Sequence, residues 1–343
     1  MLYMKANEVT RIQLFLFKLY FFLEHFLGLK NFNKLFYSNR QKLIDSIDAR
    51  LKDSNRGRVL DIPIVIDKNI DNEVLNKKYL QNIDQPVLFK NAASDWKSVR
   101  NWSYQYFKDN YGDSPLNIID NVGLVDRNSP QDFEYSTFGK YLEELEKGSK
   151  KYLKFSRIMD EQSNLKDDFN KSWLEKFSIS LSSGKQFLMF IGGAKSMTPI
   201  HSGFAQTLFI QITGRKKWIL WPSKESIFLN PRAERRTYNF THADPYQLDD
   251  PNFPLLKYAQ RYELVLEPGD VLWFPSHMWH QVENIDGGIS VAYKFINLPL
   301  SFKSSKLYTF LFFFATKPFI LKDLFYRRAK KEEYIFIKSQ NDL

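Results

Sequence analysis

Between Phe187 and Phe295 short apolar runs recur at even spacing: 187–191, 206–213, 217–221, 262–266, 271–274, 281–284 and 289–295. Runs this short, rich in β-branched and aromatic residues, predict strands, and their repetition predicts a sandwich or barrel. The breaks carry turn chemistry, with Thr213-Gly214-Arg215-Lys216 and Glu267-Pro268-Gly269-Asp270 supplying the glycine and proline that tight turns need.

The pattern upstream is different. Residues 1–55 read as helical and end in a charged linker, with an aromatic stretch from Ile12 to Leu27 interrupted by Lys18, Glu24 and His25. Those charges argue against a spanning helix and the lack of a small-residue cleavage site against a signal peptide, so the stretch reads as a packed or interfacial helix. Val59 to Ile66 alternates like a strand, Asn72 to Leu80 reads as a short helix, and Gln85 to Lys90 is strand-like, with mixed structure to about residue 180. After Pro299 the chain is apolar again in Leu307 to Phe314, then basic in Arg327-Arg328-Ala329-Lys330-Lys331. The expected organisation is a helical extension over 1–55, one barrel domain over 59–298, and a helical, aromatic and basic tail over 299–343. The fold class is α+β.

Composition narrows the chemistry. Of the 343 residues 16% are aromatic, 31 of them Phe and 18 Tyr, which suits a wide interior filled by rings. There is no cysteine, so a metal would have to be held by His, Asp or Glu, and there are only five histidines. The net charge of +10 is dispersed and no nucleic-acid-binding signature accompanies it, so no nucleic acid is expected as partner. The two aromatic ends could pack together, form a homodimer, or rest on a membrane surface with Arg327, Arg328, Lys330 and Lys331 toward anionic lipid. A cytoplasmic protein, peripheral to a membrane, is the corresponding expectation.

Two histidines stand in positions that matter. Thr198-Pro199-Ile200-His201-Ser202-Gly203 enters a strand, where residues 201 and 203 would point to one side, the spacing with which a histidine and a carboxylate grip one ion. In Gly269 to His280 a turn, an apolar strand and a bend at Pro275 deliver His280 to the start of the next strand. His25 and His242 read as ordinary hydrogen-bonded histidines, and the Pro275 bend argues against His277 as a further ligand.

These residues, with Gln85 to Lys90, Asp95-Trp96 and Trp102, make residues 59 to 298 resemble the JmjC and cupin-like oxygenases, which use iron(II), 2-oxoglutarate and O2 inside a double-stranded β-helix. The resemblance implies His201 and His280 as metal ligands and Thr198 and Lys216 as contacts to 2-oxoglutarate. Lys216 also has an independent argument, because a buried ammonium is costly unless it meets an anion. Phe209 beside the cosubstrate and Trp218 would supply apolar wall.

Where that family carries Asp or Glu, this chain has Gly203. The vacancy and the lost negative charge resemble the halogenating branch of the iron and 2-oxoglutarate enzymes, with chloride or bromide in the carboxylate's place. Halogenation is the favoured chemistry from sequence. A hydroxylase with water or another carboxylate, such as one near Asp244, and a non-catalytic binding module are the alternatives. Arg235 to Phe240 and Tyr246 read as a loop over a substrate pocket, and Lys294 as a candidate contact for an anionic group on a small-molecule or protein side-chain substrate.

Overall fold

The computed structural model describes residues 8–119, 133–156, 158–233, 235 and 237–315. Arg236 and the basic run Arg327-Arg328-Ala329-Lys330-Lys331 lie outside the described residues. Nine strands build the barrel: β1 (Tyr152–Ser156), β2 (Ser182–Gly192), β3 (Met197–Ser202), β4 (Gln206–Gln211), β5 (Lys216–Trp221), β6 (Arg261–Leu266), β7 (Val271–Phe274), β8 (Trp279–Asn284) and β9 (Gly288–Asn297).

They divide between two sheets. One runs Val59–Leu60, β6, β5, β8, β3, Asn239–Phe240; the other runs Ile64–Val65, Val87–Phe89, β7, β4, β9, β2, β1. From β2 to β9 successive strands cross from one sheet to the other at every step except β5 to β6, which is the winding of a double-stranded β-helix. Every pairing among these nine strands is antiparallel.

Strand alternation sorts the side chains into layers. On β5, Lys216, Trp218 and Leu220 are buried toward the barrel interior with Phe209, Phe274 and Tyr152, whereas Ile219 and Trp221 face outward. Both outer faces are covered, so the strands read as nearly continuous apolar runs. The larger sheet buries Leu208, Ile210 and Trp273 against Trp96, Phe138 and Trp173 of the preceding segment. The smaller sheet buries Ile200, Ile219, Trp221 and Trp279 against the two terminal extensions.

The N-terminal extension is a helical hairpin of α1 (Arg11–Leu27) and α2 (Leu29–Leu51). Thr10 and Gln13 form a reciprocal capping box at the start of α1. Gly28, at φ 77°, ends it by adopting a left-handed conformation that glycine tolerates, its N–H donating to the Glu24 carbonyl. The C-terminal extension is α3 (Leu298–Ser304) and α4 (Lys306–Phe313), and Tyr308 of α4 packs edge-on to Phe21 of α1. Of the arrangements open to the two aromatic ends, packing of one on the other is seen over the described residues, which leaves the dimer and membrane alternatives open.

Candidate metal centre and dicarboxylate pocket

β3 and β8 pair so that His201 and His280 stand directly opposite one another, and their ring centroids are 4.1 Å apart. Each ring is oriented by its own strand. Nδ1 of His201 lies 2.8 Å from the Pro199 carbonyl, and Nδ1 of His280 lies 3.0 Å from the Met278 carbonyl. A carbonyl only accepts, so both rings carry their proton on Nδ1 and are left with an Nε2 lone pair. Burial holds His201 well below the usual imidazole range, and the neighbouring His280 adds to the effect. Burial likewise lowers His280 to about 4, with Lys294 contributing. Two neutral imidazoles with backbone-fixed tautomers are the form in which histidine ligates a divalent metal.

Aromatic rings wall the pair. Trp218 stacks on His280 at 5.6 Å, Phe274 lies 4.9 Å from it, and Phe240 stacks on His201 at 6.0 Å. No third His, Asp or Glu joins the pair among the described residues, so the carboxylate near Asp244 does not complete the site. Asp244 instead caps its own turn, accepting from the Tyr246 N–H and the Gln247 amide.

Gly203 follows the end of β3, and its open side is not empty. A Cβ at this position would sit 2.9 Å from Cε1 of Tyr238, closer than real contacts allow. Tyr238 thus covers the place from which a carboxylate would extend. Its loop is anchored by Arg235, which donates from Nε to the His25 carbonyl (2.8 Å) and from its terminal nitrogen to the Phe26 carbonyl at the end of α1.

A second polar feature lies farther along the barrel. Lys216 is fully buried, and no carboxylate among the described residues pairs with it. Its Nζ donates to the Ser290 hydroxyl at 2.6 Å and to the Tyr152 hydroxyl at 3.0 Å, and lies over the Phe209 ring at 4.9 Å. Burial pushes this lysine well below its ordinary range, with Lys154 acting in the same direction. Thr198 lies on β3 opposite Val282, and the Asn284 side-chain amide donates to the Ser196 hydroxyl at 2.7 Å. Trp218 Nε1 and the Asn284 side-chain oxygen are buried without a partner. A lysine amine, two hydroxyls and an unpartnered donor among aromatic rings suit a small dicarboxylate.

The sequence placed the two histidines, Thr198, Lys216, Phe209 and Trp218 around the barrel interior, and the structure brings them there. Lys294 also faces the site: its Nζ sits over Phe155 (4.9 Å) and Tyr238 (5.8 Å), and it lines a narrow cavity with Leu188, Phe204, Ile296 and Phe312. Tyr246 does not. It is exposed on the outer face of the smaller sheet, its hydroxyl on Glu283 and its ring under Lys217, because Lys217 points opposite to Lys216 on β5. His277 also points away, its Nε2 bonding Thr309 of α4 at 2.9 Å.

Tyr152, Ser290 and Asn284 escaped the sequence reading. Tyr152 sits in a five-residue strand isolated between helices, and nothing local marks it as part of the barrel. Only the pairing of β1 with β2 carries it to Lys216.

The profile of the cupin-like domain family matches residues 73–299. HSPB1-associated protein 1 of Homo sapiens is 26% identical over 242 residues, covering 61% of this chain and 47% of its own length. The 2-oxoglutarate and iron-dependent oxygenase JMJD4 of Mus musculus is 25% identical over 239 residues, 62% of this chain and 55% of its own. Lysine-specific demethylase JMJ30 of Arabidopsis thaliana is 25% identical over 219 residues, 62% of this chain and 50% of its own. The chain spans about half the length of these curated relatives.

Proposed function

The chain belongs to the cupin-like domain family, and from that premise we propose that it is an oxygenase using iron(II), 2-oxoglutarate and O2. The observation that carries this reading is the cross-strand pair His201 and His280, each with Nδ1 tied to a backbone carbonyl and Nε2 left to a metal. When bound, iron(II) with 2-oxoglutarate and O2 supplies oxidation of an unactivated C–H bond.

The residues of the chain do the rest. Lys216, which burial disfavours as a cation, would find an anionic partner in a carboxylate of bound 2-oxoglutarate and would hold its proton on Nζ against it, beside Tyr152 and Ser290. Tyr152 and Ser290 would offer hydroxyls to the same group, with Thr198 on β3 as a further candidate, while Phe209 and Trp218 would exclude water. Lys294 and the apolar wall of Leu188, Phe204 and Phe312 form the substrate side. Two of the matched relatives are named as an oxygenase and a demethylase, which favours oxygenation as the first reading.

Halogenation with chloride or bromide is the second reading, favoured by Gly203 and by the lack of another carboxylate at the pair among the described residues. A halide there would rest against the Tyr238 ring. The test is anaerobic calorimetry of iron(II) and 2-oxoglutarate binding, followed by succinate release in air with and without halide. Iron-dependent 2-oxoglutarate binding that vanishes in His201→Ala and His280→Ala supports the oxygenase. Its absence from the wild type refutes both catalytic readings, and halide-independent turnover refutes halogenation.

A further inference from the structure

The helix α1 has one apolar stripe too many for a helix facing water. Phe17 and Phe21 point into the fold, beside Glu24 and His25. On the other side Ile12, Phe15, Leu19, Phe22 and Phe26 follow one another at helical spacing, and Ile12 and Phe15 are 72% and 63% exposed. Helix α4 extends this stripe: Phe22 stacks on Phe310 at 6.3 Å and Phe26 meets Phe314 at 5.8 Å, with Phe310 and Phe314 themselves exposed. A contiguous aromatic face of this kind marks a contact surface.

Charge decides its occupant. Arg11 and Lys18 flank the stripe on α1, Lys30 and Lys34 follow at the start of α2, and Lys306 begins α4, all exposed. From residue 11 to residue 40 the only acid is Glu24, which is buried and paired with Arg40. A symmetric second copy would bring these cations face to face, whereas an anionic surface neutralises them. No helix among the described residues is long and apolar enough to cross a membrane, which leaves contact along the surface.

We infer that the joint face of α1 and α4 rests on an anionic lipid bilayer, with its phenylalanines in the headgroup boundary and its lysines and arginines toward lipid phosphates. The face is directly connected to the site. Phe312, on the inner side of α4, stacks on Phe204 at 4.0 Å and walls the cavity beside Lys294, while the end of α1 holds the Tyr238 loop through Arg235.

The experiment is flotation of the full chain with phosphatidylcholine vesicles, with and without phosphatidylserine, at low and physiological salt. Binding to the phosphatidylserine vesicles is expected, weakened by salt and reduced by about tenfold or more in Phe15→Ser/Leu19→Ser. Because both side chains are outside the core, that variant should keep its thermal midpoint. As a direct readout, the fluorescence of Phe15→Trp should shift to the blue on vesicle addition. Flotation that ignores Phe15→Ser/Leu19→Ser, or failure to float on any vesicle, overturns the inference. A dimer in light scattering that the same double substitution dissolves, without vesicle binding, assigns the face to a second copy instead. None of these outcomes depends on iron or 2-oxoglutarate.

Discussion

Lys216→Met separates the lysine's cost to the fold from its use in the site. Methionine keeps the unbranched stem, one atom shorter, and removes the ionisable group. The interior of the barrel gives the wild-type ammonium no carboxylate among the described residues, and burial lowers its pKa well below 10.5. That lowering is a cost to the fold at neutral pH, where the unfolded lysine is protonated. Against it stand two hydrogen bonds, to Tyr152 and Ser290, worth about 1 kcal/mol each.

Replacing a buried ionisable group by an apolar one of similar volume is neutral or stabilising by about 1 to 4 kcal/mol, so the metal-free variant is expected to be at least as stable as the wild type at pH 7. The sign with pH follows from linkage. Below 10.5 and above the lowered folded value, the unfolded chain binds a proton that the folded one does not, so wild-type stability rises with pH by about 1.4 kcal/mol per unit. The variant lacks this slope, and its advantage should shrink as pH approaches 10. Denaturant titrations at several pH values measure both quantities, and calorimetry shows whether 2-oxoglutarate binding is lost. A variant that is less stable with an unchanged slope, or one that binds 2-oxoglutarate like the wild type, would falsify the role given to Lys216.

Three further outcomes are expected. Gly203→Asp alone should lose about 1 to 3 kcal/mol by driving a Cβ into Tyr238, and should gain iron affinity only when Tyr238→Ala is added; tighter iron binding in the single variant, measured by competition with a chelator, would contradict the covering role of Tyr238. His277 is buried and lowered to about 3, so its own contribution to stability should be complete above its unfolded value of about 6.5 and fall by about 1.4 kcal/mol per unit below it. That is about 2 kcal/mol by pH 5, and His277→Gln should reduce the acid-side slope by this share in denaturant titrations, leaving the part carried by His201, His280 and Lys216; an unchanged slope removes the assignment. His280→Ala should leave the metal-free fold within about 2 kcal/mol of wild type yet weaken iron binding by about a hundredfold, read by equilibrium dialysis, and retention of iron would place the metal elsewhere.

By itself the sequence determined the barrel strands from their alternation and turns and the helical character of both ends, and it singled out His201, His280 and Lys216 as candidates, because these signals are local or rest on family-like spacing. It also showed that residue 203 cannot ligate. What stands beside that residue was decided by tertiary structure: a loop some thirty-five residues downstream, pinned to α1 by Arg235, lays Tyr238 over Gly203. The same holds for Tyr152, which a strand pairing carries to Lys216, and for Tyr246, which strand alternation turns outward. The aromatic ends are legible as apolar, but only packing shows which stripe of α1 is buried and which is left exposed. Side-chain type and local period are written along the chain, whereas long-range pairing and the choice of face are settled only when distant segments compete to bury the same surface.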